Sequence, residues 1–342
     1  MLLLHRIKVF KLLIYLTLII LMELKTLEEI DIQLAPTSKI NEVDFDNLTF
    51  GTTFSDHMLV CDFTDGEWKK PVIQPYAPMT IDPSAKVFHY GQAIFEGMKA
   101  YKDTNDSIWL FRPDQNYERF NKSAVRMAMP EVPEDVFLGG LKRLLEIEKD
   151  WVKNGLGNSL YIRPFMIATG PGVIAAPAKI YRFMIILSPA KAYYSGEVKV
   201  LIAEHYSRAA NGGIGAAKAA GNYAGSLYPA LLAQKEGYDQ LLWTDGKSHQ
   251  HIEESGTRNV MFMINDTLIT APTSTGTILK GITRDSVLTL AREMGIKVEE
   301  RFLRVAELED ALRSNTLREA FGTGTAATIA HISKIHISGN DY

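Results

Sequence analysis

Apolar and polar positions fall into alternating runs, continuous runs and helically spaced stretches that predict a mixed fold. Residues 44–99 read as short β-segments, punctuated by turn signals at Thr64-Asp65-Gly66 and Asp82-Pro83. Phe111-Arg112-Pro113 closes a strand and opens a helical stretch toward Met129, in which Asn116, Arg119, Phe120 and Ala124 recur at helical spacing. Residues 136–152 predict an amphipathic helix, with Leu138, Leu141, Leu145 and Ile147 apolar and charges between them. Residues 160–169 and 180–187 are apolar and β-branched, as strands are. Turn residues from Ser188-Pro189 to Ser195-Gly196 predict a link between two domains.

Beyond that link, strands are predicted at 198–203, 240–244, 260–264 and 267–270, with Asn265-Asp266 as a hairpin turn between the last two. Helices are expected at 223–235, at 283–294 where Gly295 ends the pattern, and at 306–313. The charged run from Lys297 reads as a half-exposed strand. Strands and helices mix without regular alternation, and there is no internal repeat. The expected organisation is a smaller domain over 23–189, a linker at 190–196 and a larger domain over 197–342. The first 22 residues are expected to stand outside the fold. His5, Arg6, Lys8 and Lys11 precede an apolar run, 12–22, that is shorter than the roughly 20 residues a bilayer span requires. Glu23, Leu24 and Lys25 follow where a signal peptide carries small residues, so the expected start of translation is Met22.

Composition adds bounds. A chain of 342 residues, 46% hydrophobic, can bury cores in about two domains. The net charge is −3, with Lys and Arg spread along the chain and not gathered in a stripe, which argues against nucleic acid as a partner. The single cysteine, Cys61, cannot form an internal disulfide, suits a reducing compartment, and sits in an apolar run as a core thiol would. The expected location is cytoplasmic.

The stretch GGIGAAKAAGNYAGSL, residues 212–227, sets Lys218 among residues with almost no side chain. An amine that condenses with a flat aldehyde cofactor needs room for the ring and must be able to lose its proton. Read alone, the stretch is equally a Gly/Ala loop carrying a solvated lysine. Gly281-Ile282-Thr283 precedes a predicted helix, where unpaired N–H groups favour an anion such as a phosphate. Gly322-Thr323-Gly324-Thr325 offers a second loop of amides and a hydroxyl. Its faint likeness to a dinucleotide fingerprint fails, because the chain ends at the distance where the acidic partner and second strand should stand.

Ordered blocks decide between these readings. HYGQAIFEGMKAY (89–101), LFRP with NYER (110–119), LYIRP (160–164), GYDQLLWTD (237–245), EESGTRNV (253–260), GITRDS (281–286) and FGTGTAATIA (321–330) join the lysine segment. Together they resemble the branched-chain aminotransferases, class IV enzymes dependent on pyridoxal 5′-phosphate (PLP), over residues 44–331. The resemblance implies an α+β, two-domain PLP fold of type IV, with a smaller N-terminal α/β domain and a larger C-terminal domain with a β-barrel-like core. It implies transamination of leucine, isoleucine and valine with 2-oxoglutarate, giving 2-oxo acids and glutamate, in a homodimer or higher homo-oligomer, with no metal. It assigns Lys218 to catalysis and covalent cofactor attachment. Arg119, the amides of Ile282 and Thr283, and Thr325 would hold the phosphate, Tyr223 the phenolic oxygen and Glu254 the pyridine nitrogen. Thr257 and the amide of Ala326 would bind the substrate α-carboxylate. Tyr90, Phe95, Tyr161 and Tyr193 would form an aromatic wall, and Arg163 would meet the distal carboxylate of glutamate.

The pattern departs from the family at Gly170-Pro171-Gly172-Val173, where members often carry an acidic residue and a longer loop, and at Ala327 and Ala330, which replace a CxxC found in animal members. Relatives usually continue past the position of Tyr342 into another helix. The competing readings are a D-amino-acid transaminase or aminodeoxychorismate lyase of the same fold, and an inactive binding protein. The blocks YIRP and EESGTRN resemble the branched-chain group more.

Overall fold

In a computed structural model, residues 18–20, 23–27, 29–191 and 197–342 are described. They divide into two units, one running up to 191 and the other from 197 onward. Of the expected linker, residues 192–196 lie outside the described residues.

The first unit is organised by two ten-residue strands rich in Ile, Phe and Tyr, which extend because β-branched and aromatic side chains fit a pleated, half-buried surface. Its strands are β1 (Leu18–Ile20), β2 (Asp31–Ile32), β3 (His57–Thr64), β4 (Glu67–Trp68), β5 (Val72–Pro75), β6 (Ala93–Phe95), β7 (Met98–Lys102), β8 (Ile108–Phe111), β9 (Ser159–Ala168) and β10 (Tyr181–Ala190). They form one sheet in the order β1-β8-β7-β9-β10-β3-β5-β2, with β4 on β3 and β6 on β9. Strands β9 and β10 pair over their whole length, from Tyr181↔Ala168 to Ala190↔Ser159. Helix α1 is Lys86–Tyr90, α2 is Pro113–Arg126 and α3 is Gly140–Ile147. Pro113 takes the first helical position of α2, where its missing N–H costs nothing. Phe120 of α2, Phe137 and Phe183 of β10 pack together with ring centroids 5.4 to 5.6 Å apart and fasten the helices to the sheet. Cys61 lies buried in β3, and burial pushes its thiol up to about 12.

Three expectations change here. Ser188 and Pro189 belong to β10 and not to a turn; Pro189 faces Leu160, beyond the part of β10 that pairs with β3, a position where a strand tolerates proline. The helix expected over 136–152 is broken into a wider turn at Asp135–Gly139, then α3, then a short turn at Lys149–Trp151. Of the segment 1–22, Leu18–Ile20 are described, and they add an edge strand on β8.

The second unit contains β11 (Val198–Ile202), β12 (Gln240–Thr244), β13 (Ile252–Ser255), β14 (Arg258–Ile264), β15 (Thr267–Thr270), β16 (Lys297–Glu300), β17 (Leu317–Thr323), β18 (Ile329–Ile337) and β19 (Asn340–Asp341). The order β13-β12-β11-β18-β17-β14 closes on itself through a β13–β14 pairing, which makes a six-stranded barrel as expected. Val200, Ile202, Leu242, Ile252, Val260, Phe262, Ala320 and Ile332 fill its core, joined by Leu303 and Leu308. Alternation along each strand delivers these side chains to one face. Helix α4 (Ala220–Lys235) starts three residues earlier than expected and crosses from β11 to the parallel β12; α5 is Ile282–Glu293 and α6 is Val305–Arg313. Among the described residues no helix is long and apolar enough to cross a membrane.

Candidate active site

In the barrel unit the lysine segment lies where glycine is obligatory. A Cβ on Gly215 would come within 2.6 Å of both Ala209 Cβ and Thr277 O, so the loop packs directly onto the backbone before α5. Lys218 ends this loop, and α4 begins two residues later. The first turn of α4 therefore brings Tyr223 back to the amine, and Lys218 Nζ lies 2.9 Å from Tyr223 Oη.

Glu254 sits next, on β13. It is buried, and burial pushes its carboxyl above the usual glutamate range. Its Oε1 accepts from the Leu279 N–H at 2.9 Å and from Asn259 Nδ2 at 3.2 Å, while Oε2 lies 3.0 Å from Arg208 Nε. The turn after β13 is held by Gly256 in the left-handed region at φ 54°, its carbonyl accepting from Trp243 Nε1 at 2.8 Å. That turn presents Thr257. Arg208, Gly215, Ala217, Tyr223, Glu254 and Thr257 line one cleft of about 340 Å³, counting its open mouth.

Two further loops converge on the same end of the barrel. Helix α5 starts after Gly281 with no side-chain cap, which leaves the amides of Ile282 and Thr283 to an outside acceptor. A side chain at Gly281 would run into Asn259 Oδ1; Asn259 ties this start to Glu254 by also donating to Leu279 O at 2.9 Å. Thr325 and Ala326 lie in the β17–β18 connection, where a Cβ added at Gly324 would meet Arg258 Cγ at 3.5 Å, beside the Thr257 turn. Thr323 Oγ1 is buried there without a hydrogen-bond partner. Lys218, Tyr223, Glu254, Thr257, Ile282, Thr283, Thr325 and Ala326 thus share one unit. An amine, a phenol, a buried carboxylate and uncapped helix amides form a donor set that fits a flat aldehyde carrying a basic ring nitrogen and a phosphate.

The remaining expected residues that are described belong to the first unit. Arg119 of α2 is not a surface ion pair. Its Nε and Nη2 bind both oxygens of the fully buried Glu96 at 2.7 and 2.9 Å, and Asn116 Nδ2 adds a third donor at 2.7 Å. Tyr161 and Arg163 alternate on β9 and so share a face. Arg163 Nη2 donates to Tyr161 Oη at 2.8 Å, its guanidinium lies 4.6 Å from the Phe95 ring centre, and its buried Nε has no hydrogen-bond partner. Phe95, Tyr161 and Arg163 therefore form one group. Tyr90 is held elsewhere: it ends α1, is 44% exposed, and donates to the Val173 carbonyl, in the loop where the sequence departs from the family pattern. Tyr193 lies outside the described residues. Among the described residues no cluster of His, Cys, Asp and Glu is arranged for a metal ion.

The sequence reading missed Arg208, Asn259 and Glu96. Asn259 and Glu96 lie inside blocks already singled out, EESGTRNV and IFEGM, but nothing in the spacing separates a buried Arg208 from an ordinary loop arginine.

The chain is similar to known proteins over most of its length. The amino-transferase class IV family matches residues 93–335. Branched-chain-amino-acid transaminase 1 of Bacillus subtilis (strain 168) is 46% identical over 301 residues, 86% of this chain and 84% of the relative. A probable branched-chain-amino-acid aminotransferase of Staphylococcus epidermidis is 47% identical over 297 residues, 85% of this chain and 82% of the relative. Among solved structures, the branched-chain aminotransferase of Thermoproteus uzoniensis with norvaline superposes with a TM-score of 0.66 at 26% identity, covering 82% of this chain and 87% of that one. With that extent of match, a closed barrel and a lysine set beside a tyrosine and a buried glutamate, the chain belongs to the class IV aminotransferases.

Proposed function

We propose that the protein is a branched-chain amino acid aminotransferase that exchanges the amino group of leucine, isoleucine or valine with 2-oxoglutarate. The observation that carries this reading is the Lys218 amine 2.9 Å from the Tyr223 hydroxyl, in the unit that also buries Glu254, in a chain 46% identical to a transaminase of that class.

Bound PLP supplies an electron sink for the substrate α-carbon. The chain supplies the rest. Lys218 Nζ, with Ala and Gly as its neighbours, would act as the base that takes the proton off the substrate α-carbon. Glu254 accepts from the ring N–H and so favours the protonated ring, and Tyr223 donates to the phenolic oxygen. The amides of Ile282 and Thr283, with Thr325, take the phosphate at the N-terminus of α5. Arg119 is assigned to the same phosphate by its place in the family pattern. Thr257 and the Ala326 amide take the α-carboxylate. Phe95 and Tyr161 give apolar area to an aliphatic side chain at roughly 25 cal/mol per Å², and Arg163 gives a charge to the distal carboxylate of glutamate. We assign Tyr90 to the same wall on the family pattern alone.

We further infer a homodimer. The outer face of α4 exposes Leu227, Tyr228 and Leu231 at 48–68%, with Tyr206 edge-on to Tyr228, an apolar surface that a second copy would cover. A cytoplasmic location is supported by the single, buried thiol.

The test is direct. Purified protein freed of unbound PLP should stay yellow, hold the cofactor covalently after borohydride, and convert leucine plus 2-oxoglutarate to glutamate; Lys218→Ala should neither hold it covalently nor turn over. A Lys218→Ala protein with wild-type turnover ends the assignment.

A further inference from the structure

Beneath the cleft, one guanidinium is buried against the carboxylate that the reading above assigns to the cofactor's ring. Arg208 has a side chain only 8% exposed. Its Nη2 donates to the carbonyls of Thr277 and, at 3.4 Å, Gly215, which are the two backbones in closest approach at the lysine loop. Its Nε lies 3.0 Å from Glu254 Oε2 but is not aligned for a hydrogen bond. The contact is therefore one of charge, and the lone pairs of Oε2 stay available to another N–H. The opposite oxygen is already engaged by Leu279 N and Asn259 Nδ2.

A buried carboxyl tends to protonate, because water no longer stabilises its charge. A protonated Glu254 would lose the charge that holds a proton on the ring nitrogen. Three charged groups bear on it: Arg208 and Lys218 favour ionisation, and Glu253, its neighbour on β13, opposes it. Glu253 in turn feels Arg208 and Asp245. Lys218 gives up its charge in the proposed reaction, so Arg208 is the permanent cation of the set.

We propose that Arg208 is a positioning residue that keeps Glu254 ionised and aimed, and that through Glu254 it sets the protonation of the cofactor's ring nitrogen; this rests on the PLP reading of the site. Arg208 touches no reacting atom. It acts on the ring through one carboxylate and on the lysine loop through two carbonyls.

Substitution separates these two actions when combined with a cofactor analogue. Deaza-PLP, in which the ring nitrogen is replaced by C–H, keeps the aldehyde, phenol and phosphate but has no proton for Glu254 to hold. Wild type, Arg208→Gln and Arg208→Lys are titrated with PLP and with deaza-PLP, and the visible absorbance of the PLP complexes is followed from pH 5 to 9. Arg208→Gln should bind PLP at least tenfold more weakly than wild type, with a displaced pH profile, yet bind deaza-PLP within about twofold of wild type. Arg208→Lys, which keeps a charge but loses the carbonyl fork, should restore most of the pH profile.

Equal weakening for PLP and deaza-PLP, or a wild-type pH profile in Arg208→Gln, overturns the proposal and leaves the PLP reading standing. An Arg208→Gln protein that does not fold moves the decision to Arg208→Lys, whose failure to keep the wild-type pH profile likewise overturns it. Wild-type protein that stays colourless with PLP overturns both.

Discussion

Lys99 lies on β7 directly opposite Tyr161 of β9, so its stem lies on the face that carries Arg163. It is 8% exposed, and burial pulls its ammonium from 10.5 down to about 8. The unfolded chain therefore holds this proton more tightly than the native one. Its charge penalises folding below the folded value, and stability returns as pH rises from about 8 toward 10.5. A drop of that size corresponds to about 3.4 kcal/mol at low pH, of which about 2.5 kcal/mol returns between pH 7 and pH 10. Lys99→Met keeps the stem and removes the charge. Against this stands about 1 kcal/mol for one interaction lost with the amine. The variant should thus be about 2 kcal/mol more stable than wild type at pH 7, with the advantage gone near pH 10. Tyr101, on the same strand and pushed up to about 12 by burial, loses stability as pH rises above 10, but it does so in both proteins and cancels in the difference. Calorimetric unfolding of both proteins at pH 7, 8.5 and 10 reads this difference. A gap that does not change with pH would show that the amine is not held neutral by burial and would refute the reasoning.

Gly215→Ala places a methyl 2.6 Å from a backbone oxygen and should cost about 1–3 kcal/mol, with weaker PLP binding because the lysine loop must lift; unchanged melting and unchanged affinity would contradict the packing. In cofactor-free protein, the raised Glu254 carboxyl binds its proton more readily when folded. Stability from this group is therefore full below 4.5 and lost as pH rises through the folded value, and the gain in melting temperature from Glu254→Gln should grow from pH 4.5 to 8. A flat difference would remove the buried-carboxyl argument. Arg163→Met should raise KM for 2-oxoglutarate about tenfold or more while leaving KM for leucine within about threefold, since a charge-assisted hydrogen bond is worth roughly 1.5–3 kcal/mol; equal changes in steady-state kinetics would place Arg163 elsewhere.

Much of the barrel was legible because its strands bury one face and read as apolar alternation, and the Asn265 turn and the Gly295 stop carry local chemistry that no distant contact overrides. Pairing was not legible. Nothing in the strand sequences says that β11 meets β18 in the ring, because that pairing depends on contacts between chain segments far apart. Ser188-Pro189 misled for the same reason: turn-forming residues were carried into a strand by a full-length partner in β9. Within the site, Lys218 and Tyr223 could be paired from sequence only through the resemblance to the family, and the structure sets them 2.9 Å apart. Arg208 could not, because its role comes from Thr277 and Glu254, more than 40 residues away.

In each unit a guanidinium meets a buried carboxylate: Arg119 with Glu96, and Arg208 with Glu254. Apolar replacements of such pairs are often neutral or stabilising, so stability alone does not explain either. The two pairs differ in how fully they are satisfied. Glu96 receives a bidentate fork and the Asn116 amide, which saturates it, and leaves Arg119 a fixed cation at the end of a short lever. Glu254 meets Arg208 only by charge and keeps an oxygen open. Saturation suits a group whose task is to hold another side chain still; an open lone pair beside a permanent cation suits a group that must stay ionised and accept a hydrogen bond from something that comes and goes. The same two residue types thus give a strut in one unit and a proton holder in the other, and the difference lies in the angle of one N–H.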